Sequence, residues 1–213
     1  MRRLATASAL ALAAVVPSAA LAQELSVTTG FTLTSRYLAN GLPQSDGPAF
    51  QPYVEAEVNG FYAGIWASNT SRNLVGARAE IDLYFGYRNE VGRFSYDLGY
   101  ARYLYRSPSS NCCGEIILDM GVAVTEQIGV GVRFAHDPKA SVTNSRLYAN
   151  YAVNEKFGLD AMVGRINKGG HRYWSVGGSY AVTDNVSLSL AWHDTNIDKG
   201  RIVASMDVSF SLR

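Results

Sequence analysis

The chain has 213 residues, of which 47% are hydrophobic and 17% charged, and its formal net charge is +1. The hydrophobic share excludes a disordered chain, and the balanced charge excludes the basic footprint of a nucleic-acid binder. A mean hydropathy of −0.03, with one apolar run only, excludes a helical membrane protein.

That run lies at the start. Arg2 and Arg3 precede an apolar stretch from Leu4 to Val16, Pro17 breaks it, and Ala20-Leu21-Ala22 has the small-x-small form of a cleavage site. Residues 1–22 therefore read as a secretory signal peptide, too short to span a bilayer, where about 20 apolar residues are needed. Setting Arg2 and Arg3 aside takes the bases from 19 to 17 against 18 acids. Residues 23–213 form the second unit, which holds all 20 Gly and 13 Tyr of the chain and all but one of its 6 Pro.

Its side chains alternate at period two, and no segment sustains helical apolar spacing. Twelve strands are expected, at about 25–38, 49–58, 61–68, 77–88, 93–104, 114–125, 128–136, 145–153, 157–165, 172–182, 186–194 and 201–212. The fourth shows the pattern well: Ala77, Ala79, Ile81, Leu83, Phe85 and Tyr87 share one face, and Arg78, Glu80, Asp82, Tyr84 and Gly86 the other. Short connections (Asn59-Gly60, 89–92, 126–127, 154–156, 183–185) alternate with longer ones (39–48, 69–76, 105–113, 137–144, 166–171, 195–200). Tight turns at one end and longer loops at the other belong to an up-and-down transmembrane barrel. A soluble sandwich has no reason to sort its loops this way.

The faces agree with that fold. Lys keeps almost entirely to the loops (Lys139, Lys156, Lys168, Lys199), while aromatics cap the apolar face at Tyr37, Phe50, Phe61, Tyr87, Phe94, Phe134, Phe157, Trp174, Tyr180, Trp192 and Phe210. Such girdles suit a lipid-facing band. Sixteen strands would leave roughly 12 residues for each strand and its connection, and twelve leave roughly 16, which fits strands of about ten. The expected fold is all-β: a transmembrane up-and-down antiparallel barrel of about twelve strands.

Several blocks carry a family resemblance: Ser35-Arg36-Tyr37-Leu38-Ala39-Asn40-Gly41-Leu42-Pro43, Gly60-Phe61-Tyr62-Ala63-Gly64-Ile65-Trp66-Ala67-Ser68-Asn69, Ala79-Glu80-Ile81-Asp82-Leu83-Tyr84-Phe85-Gly86-Tyr87 and Phe94-Ser95-Tyr96-Asp97-Leu98-Gly99-Tyr100. In order and spacing they resemble the TorF-type porin family of Gram-negative bacteria, over the first half of the unit. The resemblance implies an outer-membrane barrel without a defined substrate. The chain departs from that family's pattern at Arg36, where an acidic residue is common, and at Asn40-Gly41, where an Arg-Gly pair is common.

Alternation assigns the pore-lining charges. The acids are Glu55, Glu57, Glu80, Asp82, Asp97, Glu115, Asp119, Asp160 and Asp207, and the bases Arg36, Arg78, Arg133 and Arg146, with Arg88 and Arg93 near the turn-end rim. Both signs in a narrow bore must pair or stay hydrated. Two readings stay open: a polar constriction that selects solutes by size and charge, and a filled structural or adhesive barrel without conductance. A lipid-modifying enzyme at the rim is the third and weakest. His136, His171 and His193 sit near the loop end, Trp192-His193-Asp194-Thr195 is the one suggestive segment, and no Gly-x-Ser-x-Gly elbow occurs.

No cofactor is expected. Neither His-x-His nor Cys-x-x-Cys occurs, and no helix follows Gly169-Gly170 to make a phosphate cradle. Cys112 and Cys113 read as loop cysteines without a structural role, since neighbouring Cα atoms lie closer than the usual bridge geometry; a redox or metal role is the alternative, which no His–Cys spacing supports. The partners implied are outer-membrane lipid, the barrel-assembly machinery and small polar solutes, reached by passive diffusion, and no nucleic acid.

Overall fold

The computed structural model describes residues 25–108 and 110–212; the signal-peptide span 1–22 lies outside them. In chain order the elements are β1 (Ser26–Thr34), β2 (Leu38–Ala39), β3 (Leu42–Pro43), β4 (Ala49–Val58), β5 (Phe61–Asn69), α1 (Arg72–Val75), β6 (Ala79–Val91), β7 (Phe94–Arg106), β8 (Ser110–Ala123), β9 (Ile128–Asp137), β10 (Val142–Ala152), β11 (Phe157–Ile166), β12 (Arg172–Ala181), β13 (Val186–Thr195) and β14 (Asp198–Leu212). β1 and β4–β14 form a closed antiparallel barrel of twelve strands, each paired with its sequence neighbours. The ring shuts where β1 pairs with β14, from Val27 opposite Leu212 to Thr34 opposite Ser205. Closure leaves no edge strand, so the backbone polar groups are met within the sheet, as a chain in lipid requires.

The packing is that of a soluble protein turned inside out. The fully buried apolar residues are mostly small, among them Ala49, Ala101, Ala123 and Ala135. The large apolar side chains stand on the outside, including Ile65, Phe85, Leu98, Leu147, Val163, Val176, Leu190 and Ile202. A continuous belt of this kind on a monomer is a surface for lipid rather than for water. Aromatics bound it at both ends. Phe61 packs on Tyr87, with ring centroids 4.7 Å apart, at the turn end, and Trp174 and Trp192 stand exposed toward the loop end.

Several expectations need correction. β1 ends at Thr34, four residues early, and the chain then turns into the bore. Tyr37 consequently leaves the girdle: its ring lies edge-on to Trp66 at 5.5 Å and its hydroxyl reaches Glu80. Arg36 is a loop residue whose Nη2 donates to the Asp46 carbonyl at 2.7 Å. Arg78 precedes β6 and stands exposed beyond its loop end. The loops expected at 105–113 and 195–200 are largely strand: β7 and β8 still pair at Tyr105 and Ser110, and β13 and β14 at Thr195 and Asp198. Ladder hydrogen bonds need no apolar alternation, so strands run past the point where the sequence pattern stops. Only 35–48 and 70–78 remain long. Cys113 lies in β8 rather than in a loop and is disulfide-bonded, so the reading of it as a loop cysteine without a structural role fails.

Candidate functional site

The site is the bore, and the segment 35–48 divides it. β2 and β3 pair as a two-stranded ribbon joined by Asn40-Gly41. Both turn residues have positive φ, 53° and 80°, the geometry that favours Asn followed by Gly in a tight hairpin. At the root of the ribbon, the Tyr37 hydroxyl donates to Glu80 Oε2 on β6 at 3.1 Å. At its tip, Arg146 Nη2 and Asn144 Nδ2 of β10 donate to Asn40 Oδ1 at 3.2 and 2.9 Å. A Cβ on Gly41 would sit 3.0 Å from Tyr173 Cβ on β12. β6 and β12 stand six places apart in the ring of twelve, so the ribbon straps one wall of the bore to the opposite wall.

Local bonds hold the strap rigid. Ser45, only 2% exposed, accepts from the Tyr37 backbone N–H at 2.9 Å and donates to the Gly47 carbonyl at 2.6 Å. The Ser71 backbone N–H donates to the Gln44 carbonyl at 2.7 Å, and the Ser71 hydroxyl donates to Asp46. The 70–78 loop, which carries α1, therefore backs the strap from above. His171 closes the far side. Its buried Nε2 has no partner among the described residues. Burial pushes its imidazole below the ordinary value, and a hydrogen bond to the Asn40 backbone partly offsets this.

Inward-facing residues below and around the strap form two kinds of wall. In the first, charges are matched. Arg88 bridges Glu55 and Glu57, reaching Glu57 Oε2 at 2.5 Å, and lies over the Tyr62 ring at 4.5 Å. Arg133 meets Asp119 at 3.4 Å, and Tyr148 also donates to Asp119. In the second, carboxylates meet only hydroxyls or nothing. Glu80, 4% exposed, accepts from Tyr37 and Tyr105, Glu115 from Tyr103 at 2.6 Å, Asp97 from Tyr62 at 2.6 Å, and Asp207 from Thr32 at 2.5 Å. Asp82 Oδ1 is buried and unpartnered among the described residues. Asp160 makes no hydrogen bond or ion pair among them and is exposed, as is Asn150 across the ladder from it. Among the described residues Arg146 faces no carboxylate within ion-pair distance; Asn40 and the Tyr173 hydroxyl, at 3.4 Å, are its partners.

Of the thirteen residues expected to line the pore, eleven stand in barrel strands on the inward face, and Arg36 and Arg78 do not. The structure adds the tyrosine hydroxyls of Tyr62, Tyr103, Tyr105, Tyr148 and Tyr173, and pairs Arg88, level with the Asn59-Gly60 turn, with Glu55 and Glu57. Alternation carried the signal for Tyr103 and Tyr105, in phase with Asp97 on β7, and for Tyr148, in phase with Arg146 on β10, whereas β5 and β12 have no charged residue in phase to mark Tyr62 and Tyr173. The three histidines do not assemble a triad: His136 bonds the Thr143 hydroxyl at 2.9 Å, and His193 stands opposite Ser175 with no hydrogen bond between them. Among the described residues no cluster of His, Cys, Asp and Glu could hold a metal ion.

The profile of Gcw_chp, a bacterial protein family of unknown function, matches residues 18–211. The chain belongs to this family. No curated protein matches it in sequence. Among solved structures, the Gcw_chp chain is similar to the KdgM porin, with a TM-score of 0.68 at 13% identity, over 86% of this chain and 99% of that one. It is also similar to the NanC porin, with a TM-score of 0.51 at 11% identity, over 89% and 100%. A third likeness is to outer membrane phospholipase A from Escherichia coli, with a TM-score of 0.53 at 13% identity, over 84% and 89%. At such identities the likeness is one of fold, and this fold carries both porins and a phospholipase.

Proposed function

We propose that this protein is an outer-membrane channel of the porin type, passing small polar solutes by passive diffusion through a bore narrowed by the 35–48 strap. The observation that carries this reading is the exposure of the inward-facing Asn150 and Asp160. An unpaired carboxylate there needs water, and a filled barrel would have covered or paired it. Residues 1–22 act as the export signal, the barrel-assembly machinery inserts residues 23–213, and the turn end faces the periplasm. The resemblance to TorF-type porins points the same way. The eleven inward strand residues named above line the path, with Arg36 at the strap and Arg78 beyond the loop end of β6.

The solute is neutral or cationic. Glu80, Asp82, Asp97, Glu115, Asp160 and Asp207 have no cation within ion-pair distance among the described residues, whereas the acids at 55, 57 and 119 are already matched. Fixed carboxylates concentrate cations and repel anions. A structure similar to this one is described as KdgM porin in complex with disordered oligogalacturonate; such a polyanion is a poor match for the acid-rich wall here. An enzymatic role has no support in the arrangement of the histidines.

The test is single-channel recording of the purified protein in a planar bilayer under a salt gradient. Discrete conductance steps with a reversal potential of cation sign are expected. Absence of conductance in a folded barrel would instead establish the filled alternative.

A further inference from the structure

Apart from the bore, the structure holds a concavity of about 700 Å³ on the outside of the barrel, over β9–β13 near the loop end. The register explains why the wall is notched there. One outward row runs Phe134, Ser145, Arg165, Arg172, and the row beneath it Val132, Leu147, Val163, Trp174, Asp194. Ser145 is the small residue of its row, flanked by Phe134 and Arg165, so the surface dips between a ring and a guanidinium. Below the dip the lining is apolar, with Leu147 58% and Val163 56% exposed.

The charges above the dip are unusual. Arg165 and Arg172 stand directly opposite each other across β11 and β12, both exposed, and neither meets a carboxylate within ion-pair distance among the described residues. Like charges directly opposite on a ladder destabilise it. Asp194 lines the same rim, its Oδ1 accepting from the Thr195 backbone N–H at 2.8 Å, so the groove keeps a net charge of +1. Two guanidinium groups side by side match phosphate, which arginine binds in bidentate fashion. The apolar channel running from them toward the middle of the belt matches an acyl chain.

We infer that this groove binds a phosphorylated, multiply acylated glycolipid of the outer leaflet, its phosphate held between Arg165 and Arg172 and one acyl chain laid over Ser145, Leu147 and Val163. The inference rests on the outer-membrane reading and its orientation, which put the loop end, and so the arginines, at the outer leaflet.

Purified barrel in detergent, titrated with lipid A and followed by native mass spectrometry, tests it. One lipid A per barrel is expected. The R165Q/R172Q variant should lose at least tenfold in affinity, while R102Q/R106Q, which removes two outward arginines outside the groove, should bind as the parent does. Ser145→Trp fills the notch with both arginines kept and should also lose the lipid. Equal binding by R165Q/R172Q, equal binding of dephosphorylated lipid A or of phosphatidylglycerol, or displacement by equimolar inorganic phosphate would each overturn the site. Heat-modifiable migration on gels separates the two failures. A folded barrel that shows any of those results overturns the groove alone, whereas a protein that forms no barrel in detergent overturns the membrane reading beneath it.

Discussion

Leu190 and Asn150 provide a direct test of which face of the wall meets lipid. Leu190 is central in the ten-residue β13, outward and 57% exposed, between the levels of Trp192 and Leu188. Asn150 faces inward on β10, is also exposed, and makes no side-chain hydrogen bond among the described residues. An Arg placed outward at the bilayer midplane costs about 2–4 kcal/mol. Removing the leucine forfeits roughly half of the ~1.5–3 kcal/mol that a fully buried Leu contributes. Leu190→Arg should therefore cost about 3–5 kcal/mol. Asn150→Arg introduces the same group into water, beside the unpaired Asp160, and should change stability by less than about 1 kcal/mol in either direction. Equilibrium urea unfolding of the barrel in phospholipid vesicles, followed by tryptophan fluorescence, reads both; Trp174 and Trp192 lie in the lipid-facing band and report its loss. If the two variants are equally destabilised, or if Leu190→Arg unfolds within about 1 kcal/mol of the parent, the faces are wrongly assigned.

Three further outcomes are expected. Gly41→Val forces a β-branched residue to a φ of 80° against Tyr173, a strain of about 1–2 kcal/mol or more, so the strap should loosen and single-channel conductance rise; an unchanged conductance would mean that the strap does not narrow the path. Glu80→Gln with Glu115→Gln removes two lumen carboxylates that no arginine neutralises and should move the reversal potential toward anions under a salt gradient, an effect that shrinks in high salt as screening shortens the Debye length; a shift toward cations would contradict the proposed selectivity. His171, held below its ordinary value by burial, takes up its proton at lower pH in the folded state than in the unfolded chain, where it does so near pH 6.5. The unfolded state then binds more protons below that pH, so stability should be full above it and decline as pH falls toward the folded-state value. The decline should be smaller in His171→Gln when urea midpoints are compared at pH 7.5 and pH 5, and identical slopes in both proteins would remove His171 as the cause.

Strand existence was legible because the wall separates two solvents. Each strand residue faces either lipid or the bore, so period-two alternation survives in nearly every strand, and Ala49–Val58 and Phe157–Ile166 lie within a residue of where the pattern puts them. Strand ends beyond the apolar belt were not legible. At Ser110–Cys113 and Asp198–Gly200 both faces are polar or small while the backbone ladder continues. The inward residues from Glu55 to Asp207 followed from the same alternation, but their partners did not. Arg88 finds Glu55 and Glu57 across more than thirty positions of chain, a meeting set by the register of β4, β5 and β6.

By itself, then, the order of residues determined a two-faced sheet, a lipid-compatible exterior, about twelve strands and the strand charges turned inward, though not the loop positions of Arg36 and Arg78, because all of these depend on local periodicity and composition. Tertiary structure alone decided which charges cancel, that 35–48 crosses the bore rather than extending β1, and that the outer wall is notched at Ser145. The ion pairs and the notch depend on inter-strand register, and the strap on the ring closure that sets two walls opposite each other. The strap is the sharpest case: Tyr37 and Asn40 are three residues apart in the chain, and their partners, Glu80 and Arg146, stand four strands apart around the barrel.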